Sequence, residues 1–191
     1  YVLSLHYQGT VFDPYGSFGT EATRGHYRPI GINRNSQLAV LQARPYGPEA
    51  TRCVQWLAFG SNPFNALLPF YANVSQTPAY LEQTDPKRVS TESFYWANRL
   101  IAAMADANYA ECLPAIEAYQ EDLGSEGERV LAATDVLVAK QGLDAAAAQD
   151  LLEEANQQVA DYAREKTDEL LAKVLYERSM HMANHFARSD A

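Results

Sequence analysis

The sequence predicts an α+β protein in which the strands come first and the helices follow. Two apolar runs, residues 37–44 and 53–59, have the length and composition of strands, and a Pro-Tyr-Gly-Pro turn follows the first of them. From residue 90 the apolar side chains recur at the three- and four-residue spacing of helices. With 191 residues and 47% hydrophobic composition, the chain can bury the core of a single domain.

The first part of the chain predicts a long loop over residues 8–36, because glycine and proline interrupt it repeatedly. A loop of this length is usually functional or disordered, and its aromatic side chains argue against disorder. Residues 1–52 carry five arginines and no lysine. The planar guanidinium of arginine binds carboxylates through two hydrogen bonds at once, although arginines also stabilise irregular loops.

The two apolar runs predict a hairpin with both faces of its strands covered. Leu38 and Val40 are expected to point inward from the first strand. Neither run alternates cleanly with polar residues, as a strand with one solvated face does, so we expect cover on both sides of the sheet. A short third strand is expected within residues 69–74.

The stretch GSNPFNALLPFY, residues 60–71, follows the second strand and holds two asparagines and two prolines. Asn62 and Asn65 can cap the chain locally, and the prolines stiffen it. Its aromatic side chains are expected to pack on the sheet. We interpret the stretch as a shaped turn and favour a structural role for it over a chemical one.

The helical half begins with two predicted helices. Ser90 or Thr91 is expected to cap the first, which ends near Asn108. Pro114 begins or kinks the second, which ends near Gln141.

The last helix is predicted to be long, from about residue 145 to about residue 187. Gly142 is expected to close the helix before it, and Asp144 to cap this one. Its apolar stripe lacks strict heptads, so packing against the preceding helices is preferred to a coiled coil.

Composition and charge exclude several classes of partner. The net charge of −9 makes nucleic-acid binding unfavourable. No apolar run reaches the roughly 18 residues of a membrane span. Two cysteines do not make a disulfide framework, so a reducing, cytoplasmic location is expected.

Metal and thiol chemistry have weak support in the sequence. His181 and His185 lie one helical turn apart, but a third ligand cluster is not evident, and the helix dipole explains them equally well. No metal is therefore expected. Cys53 is expected inside a buried strand, and Cys112 has no basic partner in sequence, so both are interpreted as structural.

The most suggestive polar segment is residues 28–36, which leads into the first strand. The Asn33 amide and the Arg34 guanidinium could together hold an oxyanion or a substrate carboxylate. Asparagine and glycine also fill ordinary turns, so the pattern alone is weak.

Four stretches in one order carry a resemblance to a known family: HYQGTVFDPYG, RPIGINRNSQLAVLQARPYG, WLAFGSNPFNALLPFYANV and STESFYWANRLIAAMAD. The chain resembles the dipeptidase A family of cysteine peptidases, which are N-terminal-nucleophile hydrolases distantly related to penicillin V acylase, bile salt hydrolase and the secernins. The resemblance covers about residues 1–120 by motif and the helical remainder more loosely.

The resemblance implies a four-layer αββα sandwich and hydrolysis of dipeptides without a metal or organic cofactor. In the family, the first residue of the mature chain is a cysteine, whose thiolate attacks the peptide carbonyl while its own α-amino group acts as base. Tyr1 cannot take that role. The chain is therefore expected to be a C-terminal portion, inactive alone, with residues 1–89 supplying loops and strands of a partial sandwich and residues 90–191 its helices.

The resemblance also assigns roles to three residues. In related acylases a catalytic arginine follows the oxyanion asparagine in chain order and lies on or beside a later strand, and Arg34 is the best match for it. Asn33 is a weaker catalytic candidate beside it, and Asn62 is a candidate for substrate binding. The expected partners are a dipeptide, the missing N-terminal part and further copies of the same chain in a homo-oligomer.

Two alternatives remain open from the sequence. In the first, residues 90–190 form a non-catalytic helical assembly module and the strands are only a platform. In the second, the protein is a related amide hydrolase that acts on a different acyl group. A cysteine near the start of the upstream reading frame favours the peptidase over the module, and substrate profiling separates the two hydrolases.

Overall fold

A three-stranded antiparallel sheet begins the folded part of the computed structural model, which describes residues 7, 10–14, 16–32 and 34–182. The strands are β1 (Gln37–Ala43), β2 (Cys53–Phe59) and β3 (Leu68–Tyr71), and they are ordered β1-β2-β3. The two predicted strands of the hairpin are confirmed, and the third is shorter than predicted. With the helices that follow, the fold is α+β.

The β1-β2 hairpin has a register that aligns both of its ends. Gln37 pairs with Phe59 at one end, and Ala43 pairs with Cys53 at the other. A short 3-10 helix, Glu49–Thr51, lies in the connection. The chain just before β1 therefore lies beside the chain just after β2.

Four α-helices follow within the described residues, and they supply most of the core. They are α1 (Ala79–Glu82), α2 (Phe94–Ala105), α3 (Tyr109–Gln141) and α4 (Gln149–Met180), with single 3-10 turns at Asn62–Phe64 and Asp106–Asn108. Helix α4 packs along α2 and α3, as the absence of heptads predicts, and α3 and α4 both pack on β3. Within the part of the chain that the structure describes, no helix combines the length and apolar character needed to cross a lipid bilayer.

Two predicted helix starts are wrong, because the capping residues close local turns instead. Helix α2 begins at Phe94, and the Ser90 hydroxyl accepts the backbone N–H of Glu92 at 3.2 Å. The Asp144 carboxylate accepts the N–H groups of Ala146 and Ala147, at 3.0 and 2.8 Å, so it caps a separate turn before α4. The predicted cap Gly142 is confirmed, since it is left-handed with φ 62°.

The end of the last helix also differs from the prediction. Helix α4 ends at Met180, earlier than residue 187, and His181 adopts a turn conformation. Residues 183–191 lie outside the described residues. Pro114 lies inside α3 rather than at its start.

The expectation that both strands of the hairpin are covered is wrong for β1 in this chain. Leu41 is 79% exposed and Val40 is 39% exposed. Among the described residues β1 has a neighbouring strand on one side only, and the helices pack mainly on β3. Cys53, at the start of β2, is also exposed rather than buried. The core instead lies between β3, the 60–66 turn and α2–α4.

The free edge of β3 is closed by a side chain of α4. The Asn156 amide oxygen accepts the N–H of Tyr71 at 2.8 Å, and its amide nitrogen donates to the Tyr71 carbonyl at 3.0 Å. Asn156 is buried, so it satisfies main-chain groups that would otherwise need a fourth strand or water.

Two glycines of α3 should respond oppositely to alanine. A Cβ atom at Gly127 would lie 2.5 Å from Pro69 Cδ, whereas one at Gly124 would meet no atom within 4 Å. We expect Gly127→Ala to lower the free energy of unfolding by about 1–3 kcal/mol through overpacking. Gly124→Ala should raise it by about 0.5–1 kcal/mol through helix propensity. Urea denaturation of both variants tests this, and a gain from both would contradict the close packing of α3 on β3.

Candidate functional site

The lead-in to β1 and the turn after β2 meet at one end of the sheet. The Gly60 N–H donates to the Ser36 carbonyl at 2.9 Å, which continues the hairpin beyond its last strand pair. Arg34 lies two residues before Ser36 and is exposed. The backbone of Asn62 lies in the 3-10 turn two residues after Gly60. The segments that carry these two predicted site residues therefore reach the same end of the sheet, while Asn33 lies outside the described residues.

The lead-in segment folds back on itself before it enters β1. The Asn35 N–H donates to the Ile32 carbonyl at 3.0 Å, and the Asn35 side-chain amide donates to the Ile30 carbonyl at 3.3 Å. These bonds form a turn around Arg34. Asn35 thus has a structural role next to the arginine.

The turn after β2, residues 60–65, is called the sheet-end turn, and residues 60, 61 and 63–65 of it are buried. Gly60 has φ 77°, and a Cβ there would lie 3.2 Å from the Tyr95 carbonyl, so glycine is required. The Asn65 side chain is 4% exposed; its amide nitrogen donates to the Phe59 carbonyl and its oxygen accepts the Ala66 N–H at 2.7 Å. The local capping role predicted for Asn65 is confirmed.

Two helices hold the sheet-end turn from outside. On α2, Arg99 Nη1 donates to the hydroxyl of Ser61 at 3.2 Å. On α3, Gln120 Nε2 donates to the carbonyls of Pro63 and Asn65, at 3.2 and 2.9 Å. Arg99 lies in a stretch that carries the family resemblance, but no sequence pattern shows what Arg99 or Gln120 contacts, because their partners lie 38 and more residues away.

Beyond the other end of β1 lies a closed polar cluster of Arg44, Tyr71 and Asp135. Arg44 is 8% exposed, and its Nη1 and Nη2 donate hydrogen bonds to the two carboxylate oxygens of Asp135, at 2.6 and 3.1 Å. The Tyr71 hydroxyl lies 2.8 Å from the same carboxylate. Burial, reinforced by Asp135, raises the pKa of Tyr71, so the phenol stays protonated and donates. All three groups face each other, so the cluster serves the fold rather than a ligand.

The two cysteines are free and far from equivalent. Cys112 is buried, and burial raises the pKa of its thiol, which disfavours the reactive thiolate. Cys53 is exposed and lies opposite Ala43, at the end of the hairpin where the connection joins the two strands. The expectation of burial for Cys53 was wrong, but its mid-chain position still denies it the free α-amino group that an N-terminal nucleophile has.

The histidine pair near the C-terminus is only partly described. His181 Nε2 lies 3.1 Å from a carboxylate oxygen of Glu111 and forms an ion pair when protonated. His185 lies outside the described residues. Within residues 7, 10–14, 16–32 and 34–182, no group of three or more His, Cys, Asp or Glu side chains is placed to hold a metal ion.

Comparison with known protein families places the chain among the peptidases. Residues 1–122 match the profile of Peptidase family C69. This match covers more than half of the chain, and the chain belongs to peptidase family C69.

Curated relatives extend the similarity to the whole chain. A dipeptidase of Bifidobacterium longum (strain NCC 2705) is 50% identical over 226 residues, covering 100% of this chain and 42% of the relative. A probable dipeptidase A of Streptococcus pyogenes serotype M3 is 44% identical over 100% of this chain and 39% of the relative. Dipeptidase A of Lactobacillus helveticus is 39% identical over 91% of this chain and 36% of the relative. The chain thus spans about two fifths of the length of the relatives it matches.

Proposed function

We propose that this chain is the C-terminal part of a cysteine dipeptidase that hydrolyses dipeptides by N-terminal-nucleophile catalysis. The observation that carries the proposal is the 50% identity of the whole chain to a protein named dipeptidase, together with membership of peptidase family C69. The 42% share of that relative supports a chain that is one portion of a longer protein. In this proposal the nucleophilic cysteine lies outside the chain, which is inactive alone.

The proposed reaction needs a thiolate, a base and a stabilised oxyanion. The thiolate attacks the dipeptide carbonyl, the α-amino group takes the thiol proton, and that proton passes to the leaving amine as the C–N bond breaks. The α-amino group then takes a proton from water as the water oxygen attacks the thioester carbonyl, the C–S bond breaks to release the acid, and the proton returns to the thiolate. No metal or organic cofactor takes part.

Three residues of this chain have proposed roles at the end of the sheet. Arg34 supplies a guanidinium that orients the nucleophile or stabilises the developing negative charge. Asn33 adds an amide donor beside it, and Asn62 contacts the substrate from the sheet-end turn. The exposed position of Arg34, and the bond from Gly60 to Ser36 that joins the two segments, support this arrangement.

The decisive test uses the protein expressed from the complete reading frame that contains this chain. We expect a mature N-terminal cysteine and dipeptide hydrolysis that iodoacetamide abolishes. A mature product that begins at Tyr1 and hydrolyses dipeptides would overturn the mechanism. An inert product with that same start would favour the helical assembly module.

The rest of the protein is proposed to complete one αββα sandwich with this chain as its C-terminal portion. The exposed apolar side chains of β1, and its single neighbouring strand in the part of the chain that the structure describes, support a sheet that continues beyond β1. The two free cysteines support a cytoplasmic location, and the complete protein is proposed to be a homo-oligomer.

A consequence is that the isolated chain should self-associate or retain the missing part noncovalently. We expect Leu41→Lys, on the exposed edge strand, to reduce association, because a charge there opposes strand pairing. Val136→Lys is the matched control, since Val136 is also exposed but lies on α3. Sizing with light scattering reads out both variants. A stable wild-type monomer contradicts the prediction, and loss of association in Val136→Lys alone favours the helical module.

A further inference from the structure

We propose that Gln120 of α3 is a positioning residue that holds the sheet-end turn, and with it Asn62 and Arg34, in register for substrate. The inference rests on the proposed function, because it assumes that this end of the sheet faces the dipeptide. It adds a residue that neither the family resemblance nor the sequence pattern identifies.

The side chain of Gln120 binds two backbone carbonyls of the sheet-end turn at once. A side-chain amide nitrogen carries two hydrogens, and Gln120 Nε2 directs them at the carbonyls of Pro63 and Asn65, 3.2 and 2.9 Å away. These carbonyls lie on either side of Phe64, which is fully buried. Gln120 therefore fixes the orientation of the peptide units just after Asn62.

Backbone hydrogen bonds connect the part of the turn held by Gln120 to the segments that carry Asn62 and Arg34. Toward its start, Phe64 N–H donates to the Ser61 carbonyl at 3.0 Å, so the segment containing Asn62 moves with Phe64. At Gly60, the bond to the Ser36 carbonyl ties the turn to the lead-in that carries Arg34. One side chain on α3 thus sets the placement of two segments that come together only in the folded protein.

The test compares variants of the complete protein in dipeptide hydrolysis. Gln120→Met keeps an unbranched side chain but removes both donated hydrogen bonds, and we expect about a tenfold loss of kcat/KM, expressed mainly as a higher KM. Gln120→Lys restores a donor within reach of both carbonyls and should return KM to within about twofold of wild type. Gln157→Met is the matched control, since Gln157 donates only along its own helix, to Asp161 at 2.7 Å.

The readout separates positioning from general stability. A purely structural role lowers the thermal midpoint and the active fraction but leaves the KM of the folded molecules unchanged. Unchanged KM and kcat in Gln120→Met, with an active wild type, would overturn the inference alone. An inactive wild type would overturn the proposed function and the inference with it. If Gln120→Met does not fold, Gln120→Glu, whose carboxylate repels both carbonyls, is measured instead and must raise KM more than Gln157→Glu.

Discussion

Asp135→Ala is expected to lower the free energy of unfolding by about 2–4 kcal/mol. The substitution leaves the Arg44 guanidinium buried beside Tyr71 without its carboxylate, and removing one partner of a buried pair strands an uncompensated charge. It also removes the carboxylate beside the Tyr71 hydroxyl and leaves the Leu131 carbonyl, 3.0 Å away, as the acceptor of that hydroxyl. The loss should be visible as a shift in the midpoint of urea denaturation at constant m-value.

The control for this prediction is an ion pair on the same helix whose arginine, unlike Arg44, is exposed. Glu126 and Arg129 also meet at 2.6 Å, but the arginine side chain is largely exposed, so Glu126→Ala should cost less than about 1 kcal/mol. The double variant Arg44→Met/Asp135→Leu should be less destabilised than Asp135→Ala, because it removes the buried charge altogether. Equal losses for Asp135→Ala and Glu126→Ala would show that burial does not strengthen the Arg44 pair.

Arg34→Ala is expected to lower kcat/KM for dipeptides by about 10²–10³-fold in the complete protein, the usual cost of removing a donor that stabilises an oxyanion. Because Arg34 is exposed, the free energy of unfolding should change by less than about 0.5 kcal/mol. The kcat/KM of Arg34→Lys should lie between those of the wild type and Arg34→Ala, since lysine keeps the positive charge but lacks the planar guanidinium. Steady-state kinetics and thermal unfolding on the same samples give both quantities.

Arg28→Ala provides the comparison for Arg34. Arg28 lies in the same loop and is also exposed, but the family resemblance gives it no role. Similar losses for the two variants would mean that the loop contributes general positive charge. A loss confined to Arg34 would support its proposed place in the reaction.

The strands could be predicted well from the sequence and the helix starts could not. The apolar runs that form β1 and β2 are bounded by turn residues, so the neighbouring sequence is enough to locate the ends of both strands. Ser90 and Asp144 are good caps by type, but each closes a short turn of its own rather than a long helix. The exposure of β1 was missed because an apolar strand has the same pattern whether its neighbours are present or absent.

The candidate site shows a similar division. Arg34 and Asn62 could be named because they lie in long motifs that resemble a family. The roles of Gln120 and Arg44 could not be named, although Arg44 lies in the same motif as Arg34, since their partners are 55 and 91 residues away along the chain. Such contacts depend on how α3 packs against the sheet, and no local spacing in the sequence reports it.

The contact of Asn156 with Tyr71 limits how large any assembly through the sheet can become. One side of the sheet is already closed by α4, and among the described residues only β1 is left to accept another strand. Two copies of the isolated chain that joined through β1 would use the open side of each, and a third copy would find no place to add. Association of this kind ends at a closed, symmetric pair instead of growing into a fibre.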